Sequence, residues 1–376
     1  GGGEMMIGNN VLGILFANVH DERVRELTEH RTLASVPVGG RYRLIDFPLS
    51  NMVNAGINKV GVITGNNYQS LMDHLGSGKS WDLSRKREGL YILPPFGADG
   101  TQLPNRIGSL ASVTRFLRNS KEEYVLISDC DFLCNIDYSA VFAAHIEKKA
   151  DITMIYKYGK VPSYSTNANV LTTSPDGRVV EMLIGPNVEG ECNYGMNMYV
   201  MRRELLMKLV SECVSRNRYD FGREIIQQNL NNLRIFGYEF TGYSTIVGSV
   251  NSYFEANMAL MLPKVREQLF DVNRPIYTKV RDDMPARYGL ECKVVNSLIA
   301  DGCVIEGEVE NCVIFRGVHV GKGAKLKNCV IMQDTVIGAN SNLNYVITDK
   351  DVVIQDDRTL MGFQSYPVFI SKGSLV

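Results

Sequence analysis

The sequence has no surplus of positive charge, no Cys-x-x-Cys pair and no apolar run near the ~18 residues that a membrane helix needs. With 40 basic residues against 41 acidic ones the net charge is −1, which argues against a general nucleic-acid binder, whose affinity rests on surplus cations. The eight cysteines (130, 134, 192, 213, 292, 303, 312, 329) are scattered along a long chain, so neither a disulfide framework nor a zinc site is expected. The start shows no basic segment leading into a signal-length apolar run, and the chain is expected to be soluble and cytoplasmic, without a membrane partner. A small anionic ligand in a local basic pocket remains open to it.

At 376 residues, 45% of them hydrophobic, the chain is too long for one ordinary core, and two domains are expected. Up to residue 262, short apolar runs alternate with helical patterns: 11–19, 60–64, 124–128, 151–156 and 194–201 read as strands. Leu110, Val113, Phe116 and Leu117, and later Leu205, Leu206, Leu209 and Val210, recur at helical spacing. This is the rhythm of an α/β domain, Rossmann-like, with a mixed, mostly parallel sheet. Residues 263–290 hold Pro263, Pro275 and Pro285 among charges and lose both periods, so the linker is placed there.

Residues 291–376 repeat. Asn296-Ser-Leu-Ile, Asn311-Cys-Val-Ile, Asn328-Cys-Val-Ile and Asn344-Tyr-Val-Ile recur 15, 17 and 16 residues apart, with glycine steps roughly six residues apart between them. Each run is too short to bury its own apolar side, but stacked coils share a continuous core, which is the logic of a parallel β-helix built from hexapeptides. Asparagine and glycine at the corners supply turns with positive φ. Cys312 and Cys329 share one repeat position and read as stacked core.

The run Gly39-Gly-Arg-Tyr-Arg-Leu-Ile-Asp-Phe-Pro-Leu-Ser-Asn51, with Ala55-Gly-Ile57, Gly78-Lys-Ser-Trp-Asp-Leu83, Ile92-Leu-Pro-Pro95, Asp137-Tyr-Ser139, Asp220-Phe-Gly222, Tyr253-Phe-Glu-Ala-Asn257 and Arg274-Pro-Ile-Tyr-Thr278, resembles the ADP-glucose pyrophosphorylase (glucose-1-phosphate adenylyltransferase) family in order and over about residues 11 to 350. The resemblance implies the nucleotidyltransferase domain followed by a left-handed β-helix. It also implies the reaction of ATP with glucose 1-phosphate to give ADP-glucose and pyrophosphate, assisted by Mg²⁺, in glycogen synthesis. That chemistry depends on positioning and on neutralising charge that grows on oxygen.

Several residues that the resemblance calls for are absent. The family's Gly-Gly-x-Gly-x-Arg phosphate loop falls on Asn18-Val-His-Asp-Glu-Arg23, where Asn18, Val19 and Asp21 replace the three glycines and only Arg23 is kept for nucleotide binding. A β-branched Val19 disfavours positive φ, and Asp21 and Glu22 add negative charge where phosphates should sit. A family lysine becomes Leu33. Of the two acidic residues that hold Mg²⁺, Asp131 is present as catalytic and metal candidate, while the second position is Ile246, which cannot bind a hard cation. The sugar-phosphate lysine is missing from Val180-Glu-Met-Leu-Ile-Gly-Pro186. Mg²⁺ is therefore not expected to bind productively.

The resemblance then points to the diverged, regulatory kind of subunit, a partner of the catalytic subunit in a hetero-oligomer, expected to be a tetramer, with Arg41 and Arg43 near effector contacts. Each residue also has a plainer reading: Asp131 as a turn cap, Arg41 and Arg43 in ordinary salt bridges, and Lys79, Arg85, Lys86 and Arg87 as a solvated run around Trp81. His319, Lys322, Lys325 and Lys327 are ambiguous in the same way. A working adenylyltransferase with an altered loop, and a sensing module without turnover, stay open. An acyltransferase built on the β-helix ranks last, because only His319 lies in the repeats.

Overall fold

The computed structural model describes residues 7–85, 87–94, 105–163, 165 and 167–376; Lys86 of the basic run and Pro95 of the Ile92-Leu-Pro-Pro95 match lie outside the described residues. The N-terminal part is built on a nine-stranded sheet. Its strands are β1 (Val11–Phe16), β2 (Lys59–Ile63), β3 (Gly89–Leu93), β4 (Tyr124–Asp129), β5 (Ile152–Lys160), β6 (Asn169–Thr173), β7 (Val179–Ile184), β8 (Glu191–Arg202) and β9 (Ile235–Glu239). The path runs β7-β6-β8-β4-β1-β2-β3, and β5 joins β8 to β9. The centre is parallel, β4-β1-β2-β3, whereas β8 enters antiparallel between β4 and β5, so the sheet is mixed.

The five strands expected from sequence form, and β3, β6, β7 and β9 join them. All six residues of β1 are buried. Val11 and Leu15 face one apolar cluster and Leu12, Ile14 and Phe16 the other, because side chains alternate along a strand and helices cover both faces. The helical pattern around Leu110 folds as two short helices, Arg106–Ser112 and Thr114–Asn119, broken at Val113. Arg203–Ser215 is one helix burying Leu206, Leu209 and Val210.

Residues 263–290 are more ordered than a linker. Pro263–Leu269 is a helix with Pro263 in its first turn, where the missing N–H costs nothing, and it buries Val265 and Leu269. The first rung of the β-helix, Arg287–Tyr288, pairs with Val304–Ile305, four residues ahead of the boundary read from the repeats at 291. The connection without helix or strand shrinks to 270–286. The dense prolines and charges hid a docked helix.

The C-terminal part is a left-handed β-helix of three parallel five-stranded sheets. Each corner repeats a left-handed residue: Asn296, Asn311, Asn328 and Tyr345 at one, Gly302, Gly317, Asp334 and Asp351 at the second, Gly323, Asn340 and Asp357 at the third. At the first corner the side chains form a ladder, in which Asn296 Nδ2 donates to Asn311 Oδ1 (3.0 Å), Asn311 to Asn328 (2.5 Å) and Asn328 to Asn344 (3.1 Å). The fourth sequence mark is out of register by one. Lys327 lies opposite Asn344, so Tyr345, at φ 54°, occupies the corner that Asn344 was expected to hold. Tyr345 packs on Phe254 of the first domain (ring centroids 5.9 Å apart), and this contact offsets an uncomfortable backbone.

The two domains share a core. Phe47, Tyr253 and Phe254 of the first cluster with Val313, Phe315, Val330, Met332 and Ile347 of the β-helix. Among the described residues no helix is long and apolar enough to cross a membrane.

Candidate active-site cleft and interdomain pocket

The loop after β1 decides what the cleft can hold. Among residues 17–24 none has positive φ, so the run that replaces the glycines takes ordinary backbone conformations, with His20 at φ −125°, ψ 9°, followed by a 3₁₀ turn over Asp21–Val24. Asp21 does not face outward to meet a ligand. Its Oδ1 accepts from Leu33 N (2.9 Å) and Thr32 Oγ1 (3.0 Å), stapling the loop to the next segment, and burial raises its carboxyl above the usual range against those bonds. Asn18 donates from Nδ2 to Ser109 Oγ (2.9 Å). Val19 packs against the core, and Arg23 is exposed at the rim of a 340 Å³ cavity shared with Arg106 and Asp220. Leu33 is buried in the interdomain core.

The two metal positions implied by resemblance do come together. Val247 N donates to Asp131 O (2.7 Å), and the short strand Ser244–Ile246 pairs with Phe132–Cys134, placing Ile246 opposite Phe132. Asp131 and Ile246 line one 220 Å³ cavity with Tyr194 and Lys160. Lys160, at the end of β5, was not singled out by sequence because it lies in no motif; the bend of β8 against β5 brings it here.

Sequence reading missed three further residues, His20, Arg106 and Asp129. His20 Nε2 lies 2.6 Å from Asp129 Oδ2 and 3.4 Å from Asp131 Oδ2, while Arg106 grips both oxygens of Asp129, its Nε donating to Oδ1 at 2.9 Å. Asp129 is wholly buried. Burial alone would raise its carboxyl, but Arg106 and then His20 outweigh it and hold the group well below the usual carboxylate range. Asp131 is pushed upward, by burial first and by neighbouring Asp129, against the pull of His20. Among the described residues these are the one His-Asp-Asp group close enough to share a cation. The signal available in sequence was the doubled acid in Ser128-Asp-Cys-Asp131.

A hard divalent cation such as Mg²⁺ does not fit this arrangement. It needs several oxygens in open octahedral geometry, whereas the second position is the aliphatic Ile246, Asp131 leans on an imidazole, and Asp129 is occupied by a guanidinium.

Arg41 and Arg43 belong to a different place. They line a 280 Å³ cavity between the domains together with Lys279, Arg281 and Arg316, five basic side chains against Asp283 and Asp301. Arg43 is buried, donates to Ser35 O (2.5 Å), and has its pKa lowered to about 10 by burial and then by Arg31. Arg41 is exposed and lies over the Tyr42 ring, 5.4 Å from its centroid. His74 also lines this cavity; its Nε2 sits 2.6 Å from Asp46 Oδ1, and its buried Nδ1 has no partner among the described residues. Of the basic run around Trp81, Lys79, Arg85 and Arg87 are exposed: Arg85 pairs with Asp82 and Glu88, and Trp81 itself is buried, its Nε1 donating to Ser50 Oγ (3.3 Å). His319 pairs with Glu306 (3.1 Å), Lys327 lies 4.0 Å from Glu310, and Cys312 and Cys329 are wholly buried.

A mixed α/β sheet with a carboxylate at a central strand end, joined to a left-handed β-helix, defines the class of nucleotidyltransferase-fold proteins with a hexapeptide-repeat domain. The nucleotidyl transferase family matches residues 13–261, and the GlmU-like C-terminal hexapeptide family matches residues 283–365. The chain is 37% identical over 328 residues to "Glycogen biosynthesis protein GlgD" of Bacillus subtilis (86% of this chain, 84% of the relative). It is 38% identical over 326 residues to the protein of the same name from Geobacillus stearothermophilus (85% and 83%). It is 33% identical over 332 residues to "Glucose-1-phosphate adenylyltransferase" of Clostridium perfringens (86% and 84%). The chain belongs to the nucleotidyl transferase family, in the group that holds these glycogen biosynthesis proteins and glucose-1-phosphate adenylyltransferases.

Proposed function

We propose that this chain serves glycogen synthesis as a regulatory, largely non-catalytic partner of a catalytic glucose-1-phosphate adenylyltransferase subunit, in a cytoplasmic hetero-oligomer expected to be a tetramer. The observation that carries the reading is the pairing of Asp131 with Ile246 and His20 where that chemistry needs a bound divalent cation. Mg²⁺ is general to the family, and here it is not bound productively. A loop without left-handed residues also cannot present the converging N–H groups that cradle a triphosphate. Losing one such contact costs about 2.7–4 kcal/mol of transition-state stabilisation, and several lost together leave little turnover.

What the chain contributes instead is the cationic pocket between its domains. A small anion held by Arg41, Lys279, Arg281 and Arg316 touches both domains at once, so its binding is coupled to their relative position. A coupling of about 1–3 kcal/mol is enough to change a partner's substrate affinity several-fold. The purified chain is assayed with ATP, Mg²⁺ and glucose 1-phosphate, alone and mixed with the catalytic subunit. The expected result is negligible turnover alone, and altered kinetics and assembly size in the mixture. Unchanged kinetics and size would rule out the regulatory role, and turnover near 1 s⁻¹ or faster, roughly the ordinary enzyme range, would make the chain an enzyme.

A further inference from the structure

The His20–Asp129–Arg106 network raises a separate question, namely why a cleft that does not suit a divalent cation keeps two buried carboxylates. Two anions that close repel each other and need a cation between or beside them. In this chain the groups that answer them are covalently part of the protein. Arg106 comes from the first turn of helix Arg106–Ser112 and clamps Asp129 at two points, while His20 comes from the loop after β1 and bridges Asp129 to Asp131. These partners come from two separate chain segments, and the two carboxylates sit at and just after the end of one central strand, β4.

We propose that His20 and Arg106 take the place of a divalent metal: by hydrogen bonding and, for Arg106, by charge they satisfy Asp129 and Asp131, hold the loop in its closed course, and keep divalent cations out of the cleft. The loss of the three glycines and the presence of this network are then one change. The backbone at His20, φ −125° and ψ 9°, is open to any side chain, and it turns the imidazole inward onto both carboxylates. A guanidinium matches a carboxylate in two parallel bonds, a geometry a lone hydrated metal would have to displace.

The inference rests on the reading that the chain does not turn over substrate, and its test is independent of turnover. Mn²⁺, a spin probe for hard divalent sites, is titrated into the full chain and followed by electron paramagnetic resonance. The wild-type protein leaves Mn²⁺ free at sub-millimolar concentration, whereas His20→Ala with Arg106→Gln takes up one ion per chain, and adding Asp131→Asn removes it. Circular dichroism checks that the variants are folded. Should the double variant not fold, His20→Ala alone serves: amide exchange over residues 17–24 is expected to speed up at least tenfold and Mn²⁺ uptake to become measurable. Tight Mn²⁺ or Zn²⁺ binding by the wild type that Asp131→Asn abolishes would overturn the proposal, as would folded variants that bind no ion and leave loop exchange unchanged. Uptake by the wild type without turnover defeats only this inference, while turnover by a wild type that takes up no Mn²⁺ defeats the functional reading alone.

Discussion

Arg31 Nη2 lies 2.7 Å from Asp349 Oδ2, and with side chains only 2% and 3% exposed this ion pair ties the nucleotidyltransferase domain to the β-helix. Arg31 also touches Met332 Sδ at 3.7 Å, so the guanidinium is packed as well as paired. Removing one member of such a pair leaves a buried charge with nothing to answer it. Asp349→Ala is therefore expected to lower stability by about 3–5 kcal/mol, measured by urea unfolding. Arg31→Met combined with Asp349→Leu should recover most of that loss, because two apolar groups of similar size leave no stranded charge. A small loss for the single variant would mean that water reaches the pair.

The interdomain pocket makes a prediction about affinity. Arg281 and Arg316 both line the cavity, one from the connection after the first domain and one from the β-helix. A hydrogen bond to a charged group is worth about 1.5–3 kcal/mol, so Arg281→Gln and Arg316→Gln should each weaken binding of inorganic pyrophosphate about tenfold or more by calorimetry. Arg43→Gln should instead lower stability, since Arg43 is buried and holds Ser35 O and Ser70 Oγ. If all three variants bind pyrophosphate like the wild type, the pocket is not an anion site.

Lys350 gives the pH dependence. Its pKa is lowered to about 7, chiefly by burial and further by Arg43, Arg31 and Lys372, with Asp349 opposing. The folded-state value lies below the unfolded one, so below pH 7 both states carry the charge and the fold bears the full penalty of burying it. As pH rises from about 7 towards the unfolded value of 10.5 the folded protein releases the proton first, and stability rises. Lys350→Met should thus melt higher than wild type at pH 6, with the gap closing by pH 10. A gap that stays constant from pH 6 to pH 10 would show that Lys350 keeps its ordinary proton affinity in the fold.

The asparagine ladder separates two effects at one position. Asn311 sits at φ 54° and both gives and receives ladder bonds. Asn311→Gly keeps the backbone at ease and loses only the ladder, about 1 kcal/mol. Asn311→Ala loses the ladder and meets the steric cost of a left-handed residue as well, roughly 1–2 kcal/mol more. Thermal unfolding should rank wild type above the glycine variant and the glycine variant above the alanine one. Equal melting of the two variants would remove backbone strain from the account.

Much of the fold was legible because period and chemistry coincide. Strand β1 announces itself by an unbroken apolar run, and the β-helix by asparagines 15, 17 and 16 residues apart. The fourth repeat misled by one residue, since Asn344 stands beside the corner and an aromatic contact with Phe254 lets Tyr345 take it. Strands β3, β6, β7 and β9 stayed hidden: β6 and β7 form a hairpin whose apolar pattern is broken by exposed residues, and β9 finds its partner β5 far back in the sequence. In the cleft, the missing glycines and Ile246 were read only through the resemblance to the family's motifs. The role of Asp21 was not legible, because a carboxylate in a phosphate loop reads as repulsion until its bonds to Thr32 and Leu33 are seen.

The order of residues by itself determined the two-domain architecture and the class of fold, since periodicity and turn chemistry are local properties. Only the tertiary structure decided that His20 and Arg106 meet Asp129 across 109 and 23 residues of chain, and that Arg41, Arg281 and Arg316 share one cavity. Charges interact through space, and distance through space is what a linear sequence does not carry.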